Sequence, residues 1–334
     1  MIQYANALRS LAIMAVVMIH VVSSLMVVDI SKTWWFGNFI DSFARWSVPV
    51  FVMVSGALLL GKEEPLSVFF KKRASKIIIP FLFWTLFYQL FKFRTQLDLF
   101  SIETAIKNIY IGKAYYHLWF LYMIVGIYIA TPLFRAIAHR TNLLLYFVAI
   151  WFFMCLENVV FYFTSMHMGF KMGMFWGFAG YYVLGYLLAK YTISKKAAAL
   201  IYIGGVIGML VTIFGTYWAT SSKGALDIFW LDYLAPNTVL VSMAVFVLVK
   251  HSFNRNVPLL ASFAAASFGI YFIHPFFLTF YKSSLFQELF GFALHNRTIH
   301  VLFGVPVTFI VVTLSSYLAV VILQKIPFVK NIVP

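Results

Sequence analysis

The chain alternates long apolar stretches with short polar connections. Ten stretches approach the roughly 20 residues that a helix needs to cross a hydrocarbon core. They lie near 7–28, 39–60, 77–94, 117–138, 143–163, 173–190, 197–217, 228–249, 259–281 and 301–324. Helices that are apolar all round are expected in such a chain, so periodicity says little about which face each one uses. The informative positions are the polar ones that interrupt the apolar runs.

The first stretch holds two of them, Arg9 and His20. Eleven residues of helix turn through three full turns plus about 20°, so both side chains leave the same face, about 16 Å apart along the axis. A buried arginine is costly in lipid, so that face is expected to point at protein or water. The only long connection, 95–116, reads as an interfacial helix on the outer surface. Ser101 can cap it, Glu103 suits its first turn, Gly112 can end it, and Ile102, Ile106 and Ile109 share a face. Gly173, Gly177 and Gly180, then Gly204 and Gly208, predict close helix packing. Trp34–Trp35 and Tyr181–Tyr182 read as interfacial belt residues. No broken helix or inverted repeat is evident.

Composition sharpens the class. The chain is 63% hydrophobic and 10% charged. This predicts an all-α, polytopic integral membrane protein forming one domain over 1–334. The first stretch lacks a small-x-small cleavage site and reads as a retained span. The lone Cys155 excludes an internal disulfide and a cysteine metal cluster, and no metal site is expected. The net charge of +15 fits topology and contact with membrane lipids, and no nucleic acid is expected. With the N-terminus cytoplasmic, the inner side holds 15 of the 25 Lys and Arg. Of the 10 Asp and Glu, only Glu63 and Glu64 lie there. An even number of spans then places both termini inside.

On that topology the unusual polar residues form two layers. The inner layer holds Arg9, Ser55, Arg73 and Lys76. An i, i+3 pair of cations such as Arg73 and Lys76 suits a phosphate, although anionic lipid would also satisfy it. The outer layer holds His20, Asp41, Arg45, His117, Trp119, Glu157 and His274. Asp41 and Arg45 are spaced to pair. Several histidines with Glu157 at one depth suggest a water-accessible cavity that handles protons. The chain has no P-loop, GxSxG elbow, HExxH, GxGxxG or EF-hand loop, so ATP-driven transport and metalloprotease chemistry have no support.

These motifs resemble the membrane acyltransferase 3 family, and the resemblance runs from the first span to the ninth. Its carriers are Arg9 and His20, with Asn6 where the family often has Asp or Asn. Pro49, Phe51, Ser55 and Gly56 close the second span, and Arg73 and Lys76 precede the third. The family has arginine at both of the last two positions, and lysine keeps the charge without the bidentate fork. His117 to Tyr122 and Ser267 to Pro275, which includes Tyr271 and His274, are also similar to family motifs. The stretch 107–132 is similar to the branch that acetylates envelope glycans, such as the enterobacterial common antigen O-acetyltransferase.

The resemblance implies a multi-pass O-acyltransferase of a bacterial cell membrane. It implies acetyl-CoA or another acyl-CoA as co-substrate, with no permanently bound cofactor, and a glycan hydroxyl, lipid-linked or free, as acceptor. His20 and Arg9 would be catalytic. Arg73, Lys76, Ser55 and Asn6 would serve the donor, and His117, Trp119, Tyr122, Glu157, Tyr271 and His274 the acceptor side. His20 would act as general base or carry the acyl group itself. A transporter or flippase for a lipid-linked saccharide is the alternative, and a structural subunit of a glycan-export assembly is a weaker third.

Overall fold

The computed structural model describes residues 3–26, 29–94, 100–169, 177–253, 255, 257–291, 294 and 300–334. The described residues are helical, in the order α1 (Gln3–Val22), α2 (Lys32–Ala44), α3 (Ser47–Leu59), α4 (Leu66–Lys92), α5 (Ile102–Tyr110) and α6 (Trp119–Ile137). There follow α7 (Thr141–Thr164), α8 (Ala179–Lys190), α9 (Lys195–Lys223), α10 (Pro236–Ser252), α11 (Pro258–Tyr281), α12 (Ser284–Phe290) and α13 (Val301–Leu323). Among the described residues, nine helical segments are long and apolar enough to cross a membrane. The sixth expected span appears as α8, whose 12 residues fall short of a full crossing. Gly173, expected in that span, lies outside the described residues.

The second expected span is broken, not continuous from 39 to 60. Its α2 half starts earlier, at Lys32, and helix geometry lapses at Arg45–Trp46 before α3 resumes. Pro49 gives the reason. It has no N–H to bond the Arg45 carbonyl, and its ring crowds that carbonyl, so a new helix starts with Pro49 in its first turn.

Helix ends meet at two faces. At one, Lys250 Nζ donates to the carbonyls of Leu188 (2.6 Å), Ala189 (3.2 Å) and Tyr191 (2.9 Å), closing the C-terminus of α8. Arg135 there donates through Nε (3.0 Å) and Nη2 (2.8 Å) to the Leu59 carbonyl at the end of α3. Arg135 also pairs with Glu64 (3.2 Å), which pairs in turn with Lys72 (3.0 Å). The hydrogen bond from Lys72, with Arg135 beside it, holds the Glu64 carboxyl below the ordinary carboxylate range. This is the basic end, the inner one on the charge count. Clusters such as Tyr162–Asp227–Lys223 mark the opposite face.

Glycine contacts set the closest approaches. A Cβ on Gly56 would lie 1.8 Å from the Tyr182 carbonyl oxygen, and one on Gly185 would lie 2.1 Å from that of Met53. The backbones of α3 and α8 therefore touch. Gly180 lies against Trp151 and Gly208 against the Asn237 carbonyl, in line with the small-residue spacing. Gly204 makes only an ordinary contact with Leu240, and Gly177 has open space around it. Tyr181, Tyr182 and Trp34 are interior residues, not belt residues. Tyr181 and Tyr182 are fully buried, donating to the Tyr233 carbonyl (2.6 Å) and bonding the Thr131 hydroxyl (3.0 Å). Trp34 is fully buried too, and half-buried Trp35 packs on Tyr217. A belt assignment assumes that aromatic rings face headgroups, whereas here they fill the protein interior.

The interfacial helix forms as α5. Ser101 Oγ accepts from Thr104 N at 3.4 Å, and Gly112 ends the turn at φ 74°. Ile102 and Ile106 are exposed and Ala105 is buried, as an amphipathic surface helix requires. Ile109 is half-buried, because Tyr122 Oη of α6 donates to its carbonyl at 2.6 Å.

Candidate active site

A cavity of about 480 Å³ runs between α1, α3, α4, α6 and α11. It is built from helical spacings. Arg9, Val16 and His20 come from α1, Phe51, Ser55 and Leu58 from α3, Phe120, Ile124 and Tyr128 from α6, and Phe268 and Tyr271 from α11. Steps of three, four and seven residues repeat one face of each helix.

The inner part of the cavity is cationic. Arg9, Arg73 and Lys76 line it, and no Asp or Glu side chain does among the described residues. Arg9 Nη2 donates to Ser267 Oγ at 3.1 Å, and Ser267 Oγ donates to the Ala264 carbonyl at 2.8 Å. The Arg73 guanidinium lies 5.5 Å from the Phe69 ring centre and 5.9 Å from that of Tyr128. Its Nε is buried without a hydrogen-bond partner. Rings hold Arg73 in place, and no carboxylate among the described residues pairs with its charge. Ser55 Oγ donates to the Phe51 carbonyl at 2.9 Å and lies beside Tyr128. Ser55 therefore adds a hydroxyl to the wall without a base beside it.

The outer part is imidazole and aromatic. His20 stacks on His274, ring centres 5.2 Å apart, and meets the edge of Tyr116 at 5.0 Å. His117 lies 5.8 Å from His274 and 5.2 Å from Tyr271, whose hydroxyl donates to the His117 carbonyl at 2.6 Å. His274 Nδ1 bonds the Ile270 carbonyl at 3.0 Å, which makes Nδ1 the donor and leaves Nε2 an acceptor. That Nε2 and both His117 nitrogens are buried without partners. Despite three neighbouring histidines, no group of His, Cys, Asp and Glu among the described residues is arranged to hold a metal ion.

A second cavity, about 470 Å³, adjoins the first and shares Ile19, His20, Trp119 and Tyr233 with it. Its other walls include Ser23, Arg45, Phe178 and Asp232. Trp119 and Tyr233 stack at 5.7 Å, and Phe178 lies 5.6 Å from Trp119. Arg45 pairs with buried Asp41 at 2.5 Å and lies 5.6 Å from the Tyr233 ring centre. The helix break at 45–46 turns this arginine toward the space beside His20. His20 thus lines both cavities.

The expected site residues divide accordingly. Arg9, His20, Ser55, Arg73, Lys76, His117, Trp119 and Tyr271 line the larger cavity. His274 does not line it, but it is fully buried and stacks on His20 from behind. Three residues fall outside. Glu157 faces the outer surface, accepting from Met168 N at 3.1 Å beside His167, because α7 turns that face away from the bundle. Tyr122 points along α6 to α5 and Phe81. Asn6 is half-buried on α1 but off the cavity face. Tyr128, Tyr233 and Ser267 join the walls although the sequence reading did not single them out as site residues. Tyr128 was within reach of it, since it continues the i, i+4 face of Phe120 and Ile124.

A family model described as an acyltransferase domain, acyltransferase 3, matches residues 2–323. The match distinguishes no branch within that family. Comparison with curated proteins and with solved structures returns no match.

Proposed function

The chain belongs to the acyltransferase 3 family, and from that premise we propose that it acetylates a glycan hydroxyl on the outer side of a bacterial cell membrane. The donor in this reading is cytoplasmic acetyl-CoA. The observation that carries it is the position of His20, which lines two cavities at once, one leading to the cationic inner end and one to the aromatic outer end.

The inner cations match the donor's phosphates. A polyanion entering from the basic end meets Arg73, Lys76 and Arg9, with no acidic side chain among the described cavity walls to repel it. His20 sits about 16 Å further along α1 than Arg9, a span that the extended arm of CoA bridges. The outer walls suit a sugar. Trp119 and Tyr233 offer flat apolar faces, and Ser23, Arg45 and Asp232 offer hydrogen bonds.

In the reaction the acceptor hydroxyl loses its proton to His20 as its oxygen attacks the acyl carbonyl. The new C–O bond forms and the C–S bond breaks. The proton passes from His20 to the departing thiolate, which leaves as CoA thiol. An imidazole can take up a proton at one nitrogen and pass it on, which both halves of that exchange require. A covalent route through acyl-His20 would use the same two approaches.

Sealed vesicles of known orientation test the reading, with labelled acetyl-CoA on one side and glycan acceptor on the other. Transfer is expected only when the donor is on the side of the basic end. Equal transfer with both substrates confined to the opposite side would refute the vectorial route. The broken α2–α3 helix is the feature that favours a saccharide transporter. That alternative predicts acceptor movement without donor, and no acyl transfer or donor hydrolysis by the purified protein.

A further inference from the structure

Residues 324–334 follow α13 and turn back into the bundle. Phe328, 87% exposed, centres a tight γ-turn at φ 66° and ψ −45°, closed by Val329 N donating to the Pro327 carbonyl at 2.8 Å. A 3₁₀ turn, Val329–Ile332, follows. Two side chains then hold the backbone beyond it. Trp84 Nε1 of α4 donates to the Ile332 carbonyl at 2.7 Å, and Gln324 Nε2 donates to the Val333 carbonyl at 3.0 Å. Val333 is fully buried, in the cluster that contains Trp84 and Val320. Pro334 lines the larger cavity, as do Arg73, Lys76 and Ile77 of α4. The family match ends at residue 323, so this piece of the wall belongs to the segment beyond it.

What α4 rests on makes the segment matter. α4 carries Arg73 and Lys76, and it packs on this segment, on α6 and on α5. It meets α11 further along, where Trp84 stacks on Phe272 at 5.7 Å and Tyr88 Oη donates to the Phe272 carbonyl at 2.6 Å. The Trp84 indole therefore joins three things: α4, α11 and the returning segment.

We propose that residues 329–334 form a strap that seats α4 and completes one wall of the larger cavity. The strap holds Arg73 and Lys76 in place for the donor and keeps water from the thioester. Its part in donor binding rests on the acyl-CoA reading above, whereas its seating on Trp84 does not. The expected kinetic signature is a split. A chain truncated after Phe328 shows a donor KM raised about tenfold or more and faster donor hydrolysis in the absence of acceptor. Trp84→Phe keeps a flat ring but removes the N–H and the fused second ring, loosening the seat, so donor KM rises roughly two- to tenfold with kcat nearly unchanged.

An independent measurement reads the seat without any turnover. Val333→Cys is expected to react slowly with a water-soluble maleimide, Phe328→Cys quickly, and Val333→Cys faster once Trp84→Phe is added. Should the truncated chain fail to fold, Trp84→Phe and the labelling carry the test. Unchanged donor KM and hydrolysis in Trp84→Phe, or Val333→Cys reacting as fast as Phe328→Cys, would overturn the strap. An absence of acyl transfer in the unaltered protein, with slow Val333→Cys labelling, would instead overturn the acyl-CoA reading and leave the seat standing.

Discussion

The two ends of the larger cavity treat charge in opposite ways. At the inner end Arg9, Arg73 and Lys76 face the space with no acidic side chain lining it among the described residues, steadied by a serine hydroxyl and by aromatic rings. At the outer end, in the adjoining cavity that shares His20, the cation is Arg45, and Asp41 neutralises it at 2.5 Å. The imidazoles there make ring contacts, and His274 Nε2 and both His117 nitrogens are buried without a hydrogen-bond partner. Unmatched cations are stable only if an anion or water completes them, so the inner end is built to receive negative charge. Neutral imidazoles among tyrosines suit a group that gains and loses one proton. The contrast teaches that partnering, more than residue type, distinguishes a docking end from a reacting end.

Four substitutions would break or sharpen that contrast. His20→Ala attacks the reacting end and is expected to lower kcat by about 10²–10⁴, the usual worth of general-base help, with donor binding retained. Wild-type turnover in a folded His20→Ala protein would remove His20 from the chemistry. Arg73→Ala attacks the docking end. Loss of a charge-assisted hydrogen bond of about 1.5–3 kcal/mol should weaken the donor roughly ten- to a hundredfold, seen in KM and in direct CoA binding. A collapsed kcat at unchanged KM would mean that the two ends are not separate in function.

Asp41→Ala tests the neutralised cation. It strips Arg45 of its partner, and thermal unfolding in detergent should show a loss of about 1.5–3 kcal/mol, since Arg45 keeps access to the cavity. Stability equal to wild type would show the pair to be dispensable. The smallest effect belongs to Tyr122→Phe. It removes one hydrogen bond to α5, worth about 0.5–1.5 kcal/mol in stability, and should leave KM and kcat unchanged. Slowed transfer in that variant would bring Tyr122 back toward the site.

Arg9 and His20 were legible because a straight helix converts spacing into a shared face, with no help from the rest of the chain. Arg73 and Lys76 were legible for the same reason. Glu157 and Tyr122 were misplaced by the converse. Depth along a helix follows from residue number, but rotation about the helix axis depends on neighbours that lie far off in sequence. Tyr233 and Pro334 reach the cavity through such neighbours, and the indole of Trp84 finds the Ile332 carbonyl in the same way.

By itself, then, the sequence determined that the chain is a bundle of apolar helices, which end of that bundle is basic, and that α1 presents a cation and an imidazole on one face. These follow from hydrocarbon thickness, helix rise and the cost of charge in lipid, all of which act locally. Only the tertiary structure decided which side chain the α2–α3 break brings beside His20, which rings bury themselves inside, and which segment closes the wall beside α4. Those outcomes depend on contacts such as Gly56 on the Tyr182 backbone and His20 on His274, made between residues far apart in the chain. No local pattern can carry them, because each partner's position is set by the packing of all the others.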